Sequence, residues 1–541
     1  MDSAAENVKH AAYAERTSTK PVAARPPSLP VPQLKILFIY PDFLEATKNK
    51  RNIPGNYSEG IASLSATLKA EGHFTSLYHL TYMPGKEEFI ANVRLHAPDM
   101  IGMSIRTSAF TYASTMAEWL DDEMPEIPVM AGMYHPSLAP EEVIARRGID
   151  AICIGEGELA CSALVNHYAR HKKLDLSAGS FWVKDSDGAV RKNDVMPFIT
   201  DLDVLPFPDL DIFDYRNLRS NLLQKTAEVI VSRGCIYSCT YCANAQLRKV
   251  YPDASHYARF RSPENAIELL ERALDKDPNI ECFSFNDAIL NIYEDWFYEF
   301  TALYKERIGK KFVCNLRVEL IDERMVKELA SSGCYLITIG LENGNEAFRT
   351  NYLHRTMSND HVVHVSHMLK REGIIVNAYN IIGLPHETLE LSLETVKLNA
   401  RMHTDNVIIS FFAPYPSTRL REIAEEAGFI NPGVSPKDPV QLRMPGYKKS
   451  DMFYIRYSFM KLVRQYRKLY EAYDGDRLER ELGRLDAAIL GKRHPRRLIG
   501  ELRRKKHQCE VFAKRAASRY LPSIYLGLKR KRDKKASDCV N

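Results

Sequence analysis

A chain of 541 residues with 45% hydrophobic and 26% charged residues has enough apolar mass for more than one core, so two or more globular domains are expected. No run approaches the ~18 consecutive apolar residues that cross a bilayer, and the N-terminal MDSAAENVKHAAYAER lacks an apolar signal core, which argues against a membrane-spanning or secreted protein. The net charge of +5 hides an asymmetry: residues 451–541 hold 25 Lys/Arg against 11 Asp/Glu, whereas residues 1–450 hold 49 against 58. Such a basic tail could meet RNA, an acidic membrane surface or an acidic partner, but solvated helices folded back on an acidic body give the same sequence and are the plainer reading.

Residues 1–33 end in PVAARPPSLPVPQ, where repeated proline blocks regular structure, and are expected to form a disordered arm. Over 34–175 short apolar runs alternate with helical periodicity: KILFIYP, SEGIASLSATLKAEG, FTSLYHL, KEEFIANVRLH, MIGMSIR, TYASTMAEWLDDEM, PVMAGMY, PEEVIARRG, DAICIGE and LACSALVNHYARH. Five strand–helix units in succession predict a doubly wound, flavodoxin-like α/β domain with its ligand crevice at the carboxyl ends of the strands. Residues 176–224 contain a hairpin, with Asp187-Gly188 as its turn, and then a Pro- and Asp-rich linker. Over 225–430 six further strands alternate with helices, from AEVIVSR to NVIISFFAPY, which predicts a (β/α)6 partial barrel with its chemistry at the strand ends. Residues 431–541 are expected to be helical and basic, beginning with a helix over 453–473 whose Ile455, Phe459, Leu462, Val463 and Tyr466 share a face.

Ten cysteines are too sparse for a disulfide scaffold, and three of them, Cys235, Cys239 and Cys242, lie within eight residues just after the strand AEVIVSRG. That crowding points to metal binding in a reducing compartment, the cytoplasm. Three thiolates hold three irons of a 4Fe-4S cube and leave the fourth open, whereas a structural zinc site takes four ligands, and the nearest histidine in sequence is His256. Cys282, Cys314 and Cys334, in or beside predicted strands, read as buried core thiols, as do Cys153 and Cys161.

C-x-x-x-C-x-x-C after the first strand of a (β/α) barrel resembles the radical S-adenosylmethionine superfamily. The resemblance implies a 4Fe-4S cluster on Cys235, Cys239 and Cys242 and S-adenosylmethionine chelated at the open iron, whose reductive cleavage yields methionine and a 5′-deoxyadenosyl radical. It also implies an external one-electron donor of flavodoxin or ferredoxin type. ITIGLENGNE resembles the family's fourth-strand segment, with Glu342 and Asn343 toward the cofactor. IIGLPHET resembles its G-L-P-G-E-T turn, with His386 in place of the second glycine. Asn286 and Asp287 stand where a D-D-x-F segment is usual, Arg317 fits a carboxylate-binding arginine or else a surface salt bridge, and Tyr241 sits beside the last cysteine, near the adenine.

The N-terminal domain is similar to the cobalamin-binding domain of the cobalamin-dependent subfamily through APDMIGMSIRTS, PVMAGMYHPSLAPEEV and DAICIGEGE. Ser104, Thr107, Gly132, His135, Gly155, Glu156 and Gly157 are the contacts this implies. No D-x-H-x-x-G follows the first strand, so cobalamin is expected without that imidazole on its lower face. The whole resembles a class B methyltransferase, which methylates an unactivated carbon or phosphorus of a small metabolite through methylcobalamin. Two rivals stand beside it: a ring-forming or oxidative relative using the same cofactors, and a non-catalytic cobalamin or iron-sulfur sensor whose basic tail engages nucleic acid. A methylthiotransferase acting on RNA would be expected to carry an additional N-terminal cysteine set, and the first cysteine here is Cys153. A nucleic-acid partner is therefore not expected, and no acid–base residue is demanded.

Overall fold

The computed structural model describes residues 31–43, 54–174, 179–185, 187–431, 438–491 and 495–520. The expected Pro-rich arm lies outside these residues up to position 30, as do the last 21 residues with their KRKRDKK run.

The first sheet contains β1 (Lys35–Pro41), β2 (Phe74–Leu80), β3 (Met100–Ser104), β4 (Val129–Gly132), β5 (Ala151–Cys153), β6 (Phe181–Lys184) and β7 (Val190–Lys192), in the order β2-β1-β3-β4-β5-β6-β7. β1 to β5 pair in parallel, and β6 and β7, the residues read as a hairpin, add antiparallel strands beyond β5. The order 2-1-3-4-5 is the expected doubly wound arrangement, with its switch point between β1 and β3. Strand residues Leu37, Ile39, Ile101, Met103 and Ile152 pack on helix residues Phe89, Val93, Met116 and Leu120, which is why near-continuous apolar strands alternate with amphipathic helices in sequence.

Next come β8 (Thr226–Val229), the short antiparallel pair β9 (Ser232–Arg233) and β10 (Arg259–Phe260), and then β11 (Cys282–Phe285), β12 (Lys311–Leu316), β13 (Cys334–Glu342), β14 (Ile375–Ile382) and β15 (Asn406–Phe411). The second sheet runs β15-β14-β13-β12-β11-β8, the six strands of the expected partial barrel, with parallel register from β11 to β15. Several of its helices open on side-chain caps. Ser262, Asp322, Ser358 and Thr388 accept from the backbone N–H of Asn265, Met325, His361 and Leu391, satisfying donors that the first helical turn leaves over.

Contacts group the chain into two units. Among the described residues, one comprises those up to Tyr237 with Ala243–Glu281, and the other Ser238–Cys242 with those from Cys282 onward. In the second, the helix expected over 453–473 spans Lys449–Ala472 and buries Ile455, Phe459, Leu462, Val463 and Tyr466 against Leu393 and Val396. Two further helices follow, Gly475–Leu490 and Arg496–Tyr520, completing the helical C-terminal region. Among the described residues no helix is long and apolar enough to cross a membrane.

Candidate functional site

The cysteine loop follows β9 directly. Gly234, at φ +83°, stands where a Cβ would come within 2.1 Å of the Tyr257 carbonyl oxygen, so the entrance to the loop excludes a side chain. Cys235 and Cys239 are buried, and Cys242 is partly exposed. The middle of the loop is fastened by Thr240, whose hydroxyl donates to the Tyr352 carbonyl at 2.5 Å and whose carbonyl accepts from Leu420 N–H at 3.0 Å.

Two guanidinium groups stand by the loop. Arg317 is 5% exposed, which removes the surface salt bridge as its explanation; its Nη1 lies 3.9 Å from Cys239 Sγ and its Nη2 pairs with Glu319. Buried Arg355 was not foreseen. Burial lowers its pKa, but the Tyr241 hydroxyl, Cys239, Glu319 and Glu342 favour its cation and leave it raised. Glu342 closes β13 at φ +67°, at a register shift, and its carboxyl is pushed up by burial while Arg355, Tyr241 and Arg317 pull it back. Burial and the Glu342 charge raise the Tyr241 hydroxyl.

Asn343 is fully buried and committed inside the protein: Nδ2 donates to Glu387 Oε1 at 3.2 Å and Oδ1 accepts from Asn345 N–H at 2.9 Å. Glu387, in the turn after β14, also accepts from Gly383 N–H (2.6 Å), Leu384 N–H (3.1 Å) and Ser392 Oγ (2.7 Å), and burial outweighs these bonds to place its pKa at about 7. His386 adopts φ +65°, the left-handed conformation that explains why a glycine is usual there, with its ring 5.4 Å from Tyr352 and 5.0 Å from Phe429. At the end of β11, Asn286 accepts from Ser284 Oγ at 3.1 Å, and buried Asp287 accepts at its carbonyl from Asn315 Nδ2 at 3.3 Å.

In the first sheet, the residues singled out in the sequence line the ends of β3, β4 and β5. Ser104 Oγ donates to Met133 Sδ at 3.3 Å, Thr107 opens a 3-10 turn, and Gly132 ends β4. His135 turns into the interior: it is 3% exposed, its ring lies 4.2 Å from that of Phe110, and burial and Arg146 lower its pKa to about 4. Gly155 N–H donates to Ser137 Oγ at 3.0 Å, Glu156 is ion-paired to Arg259, and Gly157 packs near Leu64.

The switch point holds a polar cluster that the sequence concealed. Asp42, after β1, accepts from Asn56 N–H (2.5 Å) and Arg106 Nη2 (3.0 Å) and lies 3.1 Å from His79 Nε2 at the end of β2. Burial raises the Asp42 carboxyl, but the His79 and Asn56 hydrogen bonds more than offset it and leave the pKa lowered. The segment after β1 supplies no histidine of its own; β2 brings one to the same carboxylate. Only a strand order that makes β1 and β2 neighbours reveals this, since 37 residues separate the pair.

These arrangements fit the cofactors the motifs imply. Soft thiol donors beside buried guanidinium groups suit an anionic iron-sulfur cluster. Among the described residues no three His, Cys, Asp or Glu side chains close around a single-ion site, whereas a cube spreads its thiolates over separate irons. The buried Arg106 Nε has no hydrogen-bond partner among the described residues, at the sheet end where a doubly wound fold takes a large polar ligand.

Residues 57–165 match the model of the B12 binding domain and residues 229–398 that of the radical SAM superfamily. An uncharacterized methyltransferase of Pyrococcus horikoshii is 24% identical over 394 residues, covering 72% of this chain and 83% of that protein. An anaerobic magnesium-protoporphyrin IX monomethyl ester cyclase of Rubrivivax gelatinosus is 24% identical over 397 residues, covering 72% and 69%. The fold is similar to that of the cobalamin-dependent S-adenosylmethionine radical enzyme OxsB with aqua-cobalamin bound, at TM-score 0.64 and 17% identity over 94% of this chain and 84% of that one. With the thiol loop after β9 and the polar switch point on the first sheet, the chain is a cobalamin-binding radical S-adenosylmethionine enzyme of the methyltransferase-like class, whose cofactors are a 4Fe-4S cluster, S-adenosylmethionine and cobalamin.

Proposed function

We propose that this enzyme transfers a methyl group to an unactivated carbon, or to phosphorus, of a small metabolite, drawing electrons from a flavodoxin- or ferredoxin-type donor. The observation that carries the reading is the presence in one chain of the three-thiol loop after β9 and a doubly wound sheet with a polar switch point, Asp42, His79 and Arg106. The methyltransferase name of the Pyrococcus relative favours methyl transfer as the outcome.

When bound, the cofactors supply reductive cleavage of S-adenosylmethionine at the cluster and carriage of a methyl group on cobalamin. Cys235, Cys239 and Cys242 would hold three irons. Arg317 and Arg355 would balance the charge of the thiolates and clamp a carboxylate, as buried guanidinium groups do. Glu342, held in a left-handed turn beside Arg355, would accept polar hydrogens of S-adenosylmethionine. Glu387 fixes the Asn343 amide, and with it the segment that carries Glu342. Ser104 and Thr107, at the end of β3, and Arg106 between them would meet cobalamin.

The cyclase relative favours a second reading, ring closure without net methyl transfer. Anaerobic turnover separates the two. Methyl transfer yields S-adenosylhomocysteine together with 5′-deoxyadenosine, whereas ring closure yields 5′-deoxyadenosine alone. Replacing Cys235, Cys239 and Cys242 together by alanine is expected to remove about four irons per chain and abolish both products. Zinc in the wild-type chain in place of iron would overturn the reading.

A further inference from the structure

The cysteine loop is bracketed in sequence by residues that converge on the loop after β5. Before it, Arg233 places Nη2 2.6 Å from Glu158 Oε1 and Nη1 3.6 Å from Glu156 Oε1. After it, Arg259 places Nη2 2.7 Å from Glu156 Oε1, and Tyr251 Oη accepts from Glu156 N–H at 2.8 Å. Arg248 reaches back to the Ile236 carbonyl at 2.6 Å. Further donors reach the same carboxylates: Glu156 Oε2 accepts from Ile199 N–H at 3.0 Å, and Glu158 Oε1 also accepts from Ser63 Oγ at 2.6 Å. Glu158 and Arg259 are 4% and 5% exposed. At Gly155, φ +83°, an added Cβ would lie 2.5 Å from Tyr251 Oη, so a side chain there would displace the tyrosine hydroxyl.

A buried charge is tolerable only when paired, so these carboxylates and guanidinium groups fix each other's positions. Each oxygen of Glu156 already accepts from a protein donor, Arg259 at Oε1 and Ile199 N–H at Oε2. We propose that Glu156 and Glu158 are positioning residues for the iron-sulfur loop: they clamp its two flanks to the loop after β5 and set the spacing at which its cysteines are presented. This rests on the reading of Cys235, Cys239 and Cys242 as cluster ligands. The loop that carries the clamp is also the one at the carboxyl end of a cobalamin-domain strand, so retention of the cluster depends on carboxylates of the first sheet as well as on the three cysteines.

The test uses the full chain reconstituted anaerobically with iron, sulfide and cobalamin. Glu156→Gln keeps the shape and the acceptor for Ile199 but removes the charge. Expected is an about 10-fold faster loss of iron to a chelator, an altered electron paramagnetic resonance spectrum of the reduced cluster, unchanged cobalamin per chain, and partial recovery in Glu156→Asp. Wild-type iron retention with lost cobalamin would overturn the proposal in favour of a cobalamin contact, and wild-type behaviour in both would overturn it outright. Should Glu156→Gln fail to fold by circular dichroism, Arg259→Lys, which keeps the charge but shortens its reach, must show the same iron loss or the proposal falls. A wild-type chain that takes up no iron would instead overturn the reading of the cysteines.

Discussion

His135 shows how a residue singled out by its neighbours in sequence is settled by its neighbours in space. In MYHPS it sits after a strand and beside a glycine, as a ligand would, yet the fold turns it against Phe110 with both ring nitrogens buried. Its pKa of about 4 lies below the ordinary 6.5, so between those values the unfolded chain binds a proton that the folded chain refuses. Stability from this group is therefore complete above pH 6.5 and is lost as pH falls toward 4. Between pH 7 and 5 the loss is about 2 kcal/mol at most. His135→Leu is expected to flatten the dependence of the urea midpoint on pH over that interval; an unchanged slope would assign it to other groups. Glu158, lowered to about 2 chiefly because Arg233 offsets its burial, titrates below this window and does not confuse the comparison. The same lesson covers Asn343 and Glu156. Their motifs were legible as motifs, but the partners that occupy them, Glu387 and Arg259, lie 44 and 103 residues away, and no local pattern encodes that.

At the scale of elements, the strands and helices were legible because their signals are local: apolar runs for strands buried on both faces, and helical spacing for the segments covering them. What fastens the C-terminal helices was not. The helix Gly475–Leu490 fully buries only Ile489, with Leu482, Leu485 and Leu490 packed partly buried against the same core. A polar tie is added by Asp486, which accepts from Tyr466 Oη at 2.6 Å on one helix and from Lys397 Nζ at 2.8 Å on another. Asp486→Ala leaves the hydroxyl of buried Tyr466 and the partly exposed Lys397 ammonium without their shared acceptor, costing about 1–2 kcal/mol. Hydrogen exchange should then rise in residues 475–490 and stay unchanged in β11 to β15. A uniform rise would mean that the contact supports the whole core rather than one helix.

For the whole molecule, the alternation of strands and helices reveals two sheets but not the way contacts divide the chain. Residues 243–281 follow the cysteine loop yet group with the residues that precede it, because Tyr251, Arg259 and Arg261 bond to positions 156, 199 and 202. The polar cluster of Asp42, His79 and Arg106 and the loop after β5 lie in that unit, whereas Arg317, Glu342 and Arg355 lie in the other. Each unit has its own buried core, so ligands are expected to stabilise them separately. A ligand bound only by folded protein adds RT ln(1 + [L]/Kd), about 2.7 kcal/mol at a hundredfold excess over Kd. Calorimetry of the iron-free chain should therefore show one transition moving upward with added cobalamin, with exchange protection centred on β1 to β5 and the loops after β1, β3 and β5. Protection centred on β11 to β15 would place cobalamin on the wrong sheet, and absence of any shift would leave a doubly wound scaffold that no longer binds it. Because the Glu156 and Glu158 clamp belongs to the same unit, the segment 243–260 should gain protection together with those loops.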